Sequence, residues 1–182
     1  MTTTILGSRL GALSLAALFL AGSASAIEKP GPDDPPHGAV LISQEPRDFM
    51  GFCSKPGEAA LWEPDSAEIA RLEKRLSEFM AGVKTPPDYQ PLHEYYRQYV
   101  GFVRNAKKTI CVNAFHYTHV QDDLKHIHLN PTIQKLVQEG MPAEDYWKRL
   151  PVGVSDGGAY YFQVEYDVET GTFSELAFNG HA

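Results

Sequence analysis

Basic residues are in the minority, cysteine is nearly absent, and beyond the first two dozen positions there is no long hydrophobic run. The 16 Lys and Arg face 23 Asp and Glu, for a net charge of −7. This balance argues against nucleic acid and anionic membrane surfaces, which reward clustered positive charge. Two cysteines are too few for a disulfide-framework miniature, so an apolar core has to carry the fold. After the N-terminal segment nothing approaches 18 consecutive apolar residues, and no stable membrane insertion is expected. With 43% apolar and 21% charged residues, the chain also falls outside collagen-like, coiled-coil and wholly disordered compositions.

What is present begins with a leader. Arg9 precedes the apolar run Leu10 to Ala21, and small residues follow up to Ala24-Ser25-Ala26, the A-x-A pattern of signal-peptide cleavage after Ala26. Residues 1–26 are therefore expected to be a removed secretory signal, which places the protein in the periplasm or outside the cell. No cysteine sits at the cut to carry a lipid. About 156 residues remain, enough for one domain that buries roughly 70% of its unfolded surface, and the net charge becomes about −8. In an oxidising compartment Cys53 and Cys111 are expected to pair, closing a loop worth about 4 kcal/mol in the chain-entropy description.

Residues 27–38 combine four prolines, two glycines and acids, the composition of an extended tether. The single domain is expected over 39–182. Ala39 to Ser43 suits an edge strand or an irregular lead-in. Asp65 with Glu68 three residues on forms a capping box, and Ile69, Leu72, Leu76, Phe79 and Met80 recur at helical spacing up to Gly82. Glu68, Arg71, Glu73, Lys74, Arg75 and Glu78 occupy the remaining surface, read as solvated. After Thr85-Pro86-Pro87-Asp88 the pattern changes: Tyr96 to Arg104 and Thr109 to His116 read as a β-hairpin turned at 105–108. Gly101 marks a bulge, or a place where a ring lies close to the backbone. Asn130 caps a second helix ending near Gly140, and Pro142 opens a short third one carrying Tyr146 and Trp147. Val152 to Val154 is read as a return to strand. Tyr160, Phe162, Val164, Tyr166 and Val168 alternate with polar partners, Glu169-Thr170-Gly171 turns the chain, and Phe173 to Phe178 closes a second hairpin. The expected fold class is α+β: an antiparallel sheet of about four to five strands with one main amphipathic helix on one face.

Three stretches have the residue types of chemistry. Gly153-Val154-Ser155-Asp156-Gly157 matches G-x-S-x-G, but a nucleophile elbow needs a helix after Ser and a later acid and His. Here a strand follows, and only His181 is available, so a glycine-rich turn is the expected reading. Asp156-Gly157-Gly158 offers left-handed turn positions, with an anion-binding nest as a minor reading. His116, His119, His126 and His128 fall within 13 residues beside Asp122 and Asp123. Neutral imidazoles so spaced can ligate zinc or copper, although the spacing is no known ligand framework and a polar connecting loop is the favoured reading. Tyr89, Tyr95, Tyr96, Tyr99, Tyr160 and Tyr161 supply rings, of which those on polar strand faces suit a contact surface. Glu165 and Asp167 read as a solvated row.

The segments W-x-P-D…L-E-x-R-L (Trp62, Pro64, Asp65, Leu72, Glu73, Arg75, Leu76), Y-R-Q-Y-V-G, V-N-A-F and D-G-G…V-E-Y-D…F…F-N-G (Asp156 to Gly180) resemble a loose group of exported bacterial proteins with no assigned activity. The likeness spans most of residues 60–180. It implies an exported bacterial protein and carries over no catalytic residue, and the His-rich stretch is not part of the pattern. Together these readings favour an exported, non-catalytic binding protein, of the inhibitor or immunity type, for a basic protein partner. The alternatives are a metal-binding protein using the His116 to His128 cluster and an enzyme of unrecognised type.

Overall fold

Period-two alternation builds the centre of the molecule, because each strand sends successive side chains to opposite faces. The structure is a computed structural model that describes residues 27–42, 51, 53, 60–154 and 156–180. The expected leader with its cut after Ala26, and both Ser155 and His181, lie outside the described residues, as does most of 43–59.

A six-stranded sheet forms from β1 (Gly38–Val40), β2 (Ala60–Trp62), β3 (Tyr95–Arg104), β4 (Lys107–His116), β5 (Tyr161–Asp167) and β6 (Phe173–Phe178). Its order is β1-β3-β4-β5-β6, with β2 paired to the far end of β3. The two expected hairpins are there. Asn105 and Ala106, at φ 51° and 62°, make the first turn left-handed at both central positions, which suits the twist of the flanking strands. The α+β class holds, but the sheet is mixed rather than antiparallel, since β1 runs parallel to β3. Between them the chain passes through β2 and α1 (Ser66–Gly82), and a helical crossover of that kind returns a strand in the same direction.

Helix α1 starts where the capping box places it: Glu68 N donates to Asp65 Oδ1 at 2.8 Å, and Asp65 N donates back to Glu68 Oε2 at 2.9 Å. Leu72, Leu76 and Met80 then pack on Tyr95, Tyr99, Ile110, Val112, Phe162, Val164 and Tyr166 from one face of the sheet. The other face is covered as well, contrary to a single helical layer. Near Cys111, the residues Leu41, Val100, Phe102 and Leu61 form a small cluster. Beside it, α2 (Thr118–Lys125), α3 (Pro131–Gln138) and a 3-10 turn (Ala143–Lys148) bring Val120, Ile133, Tyr146 and Trp147 onto Tyr96 and Phe115. Residues 152–154 are not a strand.

An amide row makes the polar face buriable. Gln98, Asn113 and Gln163 stand in register across β3, β4 and β5. Gln163 Nε2 donates to Asn113 Oδ1 and Asn113 Nδ2 to Gln98 Oε1, each at 3.1 Å. The ends of the row hold the covering loops: Gln98 Nε2 donates to the carbonyls of Trp147 and Leu150, and Cys53 N donates to Gln163 Oε1. Buried amides are tolerated when satisfied in this way. Glu165, expected in a solvated row, is buried on this face with Arg104 3.5 Å away. Tyr95, Tyr96 and Tyr99 are core, leaving Tyr160 as the most exposed of the tyrosines singled out.

Gly101 is no bulge, since the β3–β4 register is unbroken from Tyr95↔His116 to Arg104↔Lys107. The close ring is the correct reading: an added Cβ would run into the Trp62 carbonyl oxygen and meet its indole at 2.8 Å. Because a backbone oxygen cannot rotate aside, Gly101→Ala is expected to destabilise by about 1–3 kcal/mol. A urea melt followed by tryptophan fluorescence measures this, and an unchanged midpoint contradicts it.

Cys53 and Cys111 are disulfide-bonded, with Cα atoms 6.0 Å apart. None of the described helices is long and apolar enough to cross a membrane.

Candidate functional site

Residues 27–38 are not a loose tether. The Ile27 carbonyl accepts from Gln121 Nε2 at 2.7 Å, Lys29 Nζ lies 2.9 Å from Glu94 Oε1, and Pro30 is buried. Further on, the His37 carbonyl accepts from Arg97 N at 2.8 Å, and the His37 ring stacks on Tyr96 with centroids 4.9 Å apart. Composition suggested an unpacked segment because proline removes donors. Here the carbonyls, one lysine and one imidazole make the attachments instead.

Between this segment and the Ala143–Lys148 turn lies a cleft of about 840 Å³. Buried Tyr96 and Trp147 line it, and Tyr96 packs against both Trp147 and His37, each with ring centroids 4.9 Å away. The cleft's rim is acidic, with Glu28, Asp34, Glu144 and Asp145 from the two walls. Both rim lysines are engaged, Lys29 with Glu94 and Lys148 with Asp145 at 2.7 Å. Glu28 and Glu144 are exposed and have no ion pair among the described residues. Lys148 Nζ also stands 5.7 Å over the Trp147 ring, a cation–π arrangement made by the protein itself.

The four candidate histidines are distributed rather than gathered. His116 Nε2 meets Glu94 Oε2 at 3.1 Å and its Nδ1 meets Thr118 Oγ1 at 2.8 Å. His119 Nδ1 meets the Tyr161 hydroxyl at 3.0 Å, and its Nε2 lies 3.5 Å from Asp123, which also accepts from the Tyr146 hydroxyl. His126 Nδ1 contacts the Asp122 carbonyl, and His128 is exposed. Among the described residues no group of three or more His, Cys, Asp or Glu side chains is placed to hold a metal ion. The four expected ligands are held apart: His116, at the end of β4, meets Glu94, whereas His119, on α2, meets Asp123.

Burial keeps His37, His116 and His119 below the ordinary imidazole value, overriding the carboxylates near each. Glu94 is also raised by burial, but the hydrogen bonds from Lys29 and His116 outweigh this and hold it below the usual carboxylate value. The unfolded imidazoles take up protons near pH 6.5 while the folded ones resist, so the unfolded state binds more protons as pH falls. Stability is expected to be full above about pH 6.5 and to decline from there toward the lower folded-state values. Denaturation at pH 7.5 and 5.0 measures the decline, and His119→Gln should shrink the difference between the two. Equal stability at both pH values contradicts the assignment.

Within the Gly153 to Gly157 string, Ser155 lies outside the described residues and Asp156 bridges to Gly180. Gly157 and Gly158 have φ of +105° and +59°, as the turn reading expects. Gly158 N donates to the Gly180 carbonyl and Ala159 N to Asp88 Oδ2, so these amides serve the fold rather than an anion. A three-residue 3-10 turn and then β5 follow.

No protein-family model matches the chain, and no curated protein or solved structure does. The cleft residues escaped the sequence reading because its walls lie more than a hundred positions apart. The only local hint was the clustering of Glu28, Asp33 and Asp34 among prolines.

Proposed function

We propose that this protein is a non-catalytic binding module acting outside the cytoplasm, which captures a basic protein partner by seating cationic side chains in the acid-rimmed cleft. A leader-like N-terminus and a disulfide support the compartment. The surplus of acids supports the sign of the partner, since complementary charge speeds encounter and disfavours wrong partners. The observation that carries the reading is that Glu28 and Glu144 line the cleft, exposed and without an ion pair among the described residues. A guanidinium there pairs with these carboxylates in the fork geometry that suits it. An inhibitor or immunity-type role against a basic enzyme fits this chemistry.

Calorimetric titration of the leaderless protein with a hexa-arginine peptide at 20 and about 200 mM salt tests it. Binding is expected at low salt, weaker at moderate salt, and about tenfold weaker when Glu28→Gln and Glu144→Gln are combined. No binding at low salt, or binding that the double variant leaves unchanged, rejects the cleft as the site.

A further inference from the structure

The cleft ends at a sheet edge, β1, along whose outer side no described strand is paired. β1 uses one row of its backbone groups on β3: the His37 carbonyl accepts from Arg97 N, and Leu41 N donates to the Tyr99 carbonyl at 2.9 Å. By strand alternation the N–H and C=O groups of Gly38 and Val40 point the other way, where no described strand lies. Such a row is a template for one more strand.

Two recesses flank that edge, one on each face of the sheet. On the Tyr96 face is the acid-rimmed cleft. On the α1 face a groove of about 680 Å³ runs between β1 and α1, lined by Val40, Ile69 and Ala70 with Tyr99 at its base. Pro36 and Gly38 line both recesses, so the two meet across the edge. The groove's Glu73 is engaged by Arg97 and Tyr99, while exposed Lys74 stands at its side and repels a cation. The two recesses therefore ask for opposite chemistries.

We infer that the open edge of β1 takes up an extended segment of the basic partner as an added strand, with cationic and apolar side chains alternating along it. The inference rests on the cation-binding reading of the cleft and adds how the partner is held. A strand laid on β1 sends alternate side chains to opposite faces, so cationic ones enter the acid-rimmed cleft and apolar ones the α1 groove. Backbone pairing supplies attachment and the two recesses supply specificity, as in strand-addition recognition generally.

The test uses two capped peptides of one composition, Arg-Val-Arg-Val-Arg-Val and Arg-Arg-Arg-Val-Val-Val, titrated into the leaderless protein. The alternating peptide is expected to bind at least tenfold tighter, and methylation of its alternate amide nitrogens should abolish that advantage. Amide exchange at Gly38 and Val40, fast in the free protein, should slow in the complex. Equal affinity for both peptides, indifference to methylation, or unchanged exchange at these two amides overturns strand addition while leaving cation binding in the cleft intact. Failure of both peptides to bind overturns both readings. Self-association through β1, seen by sedimentation with protection at the same amides, assigns the edge to a second copy and also overturns the inference.

Discussion

Arg97→Ala is expected to destabilise the protein by about 3–5 kcal/mol, the range for leaving a buried charge without its partner. Arg97 projects from β3 toward α1 and is 2% exposed, although arginine is rarely found so deep. Its Nε approaches Glu73 Oε1 at 2.9 Å without the alignment of a hydrogen bond, so that contact acts by charge. Its Nη1 donates to the carbonyls of Leu92 and Tyr95 at 2.9 and 3.0 Å, and the Tyr99 hydroxyl donates to the same Glu73 oxygen. Removing the guanidinium strands a carboxylate and two carbonyls at once. If the cost comes from stranding, the double variant Arg97→Met with Glu73→Leu should recover much of the loss, because an apolar pair of similar size needs no partner. A urea double-mutant cycle decides it. Additive losses mean the two side chains do not act as a pair.

The second large effect is expected from replacing both Cys53 and Cys111 by alanine. The bridge spans 58 residues of sequence, and opening it returns about 4 kcal/mol of loop entropy to the unfolded chain. That is a large part of an ordinary domain's stability of about 5–15 kcal/mol. Cys111 is wholly buried in β4, while Cys53 sits on the covering segment whose amide is held by Gln163. The loss should appear equally when the unmodified protein is melted under strong thiol reductant. A midpoint that moves in neither experiment removes the loop argument.

Local signals were legible in the sequence wherever one element carried its own marks. The Asp65–Glu68 box and the Ile69 to Met80 spacing located α1, Asn130-Pro131 located α3, and the alternations through Tyr166 and Phe173 located the second hairpin. Long-range consequences were not legible. β1 is three residues long, and its direction depends on a crossover rather than on its own residues. Helix α2 presents Val120 as its single fully buried residue and has no side-chain cap, so its apolar stripe is too thin to stand out from a polar loop. Glu73 read as solvated because a helical pattern alone cannot show that an arginine waits on the strand below. The cleft was invisible for the same reason: Tyr96 on a strand and Trp147 on a separate helical turn gave no sign of meeting until the fold joined them.

The amide row runs in one direction only. From the Cys53 amide through Gln163, Asn113 and Gln98 to the Trp147 carbonyl, every link has its nitrogen toward the same end. Deamidation at Asn113 would exchange the one nitrogen that faces both Gln98 Oε1 and the Val152 carbonyl for an oxygen. The change is a single mass unit and leaves the side chain's volume untouched, yet two attractive contacts become repulsive at the middle of the sheet. The same change from carboxamide to carboxylate therefore costs the fold far more at position 113 than at an exposed asparagine such as Asn105.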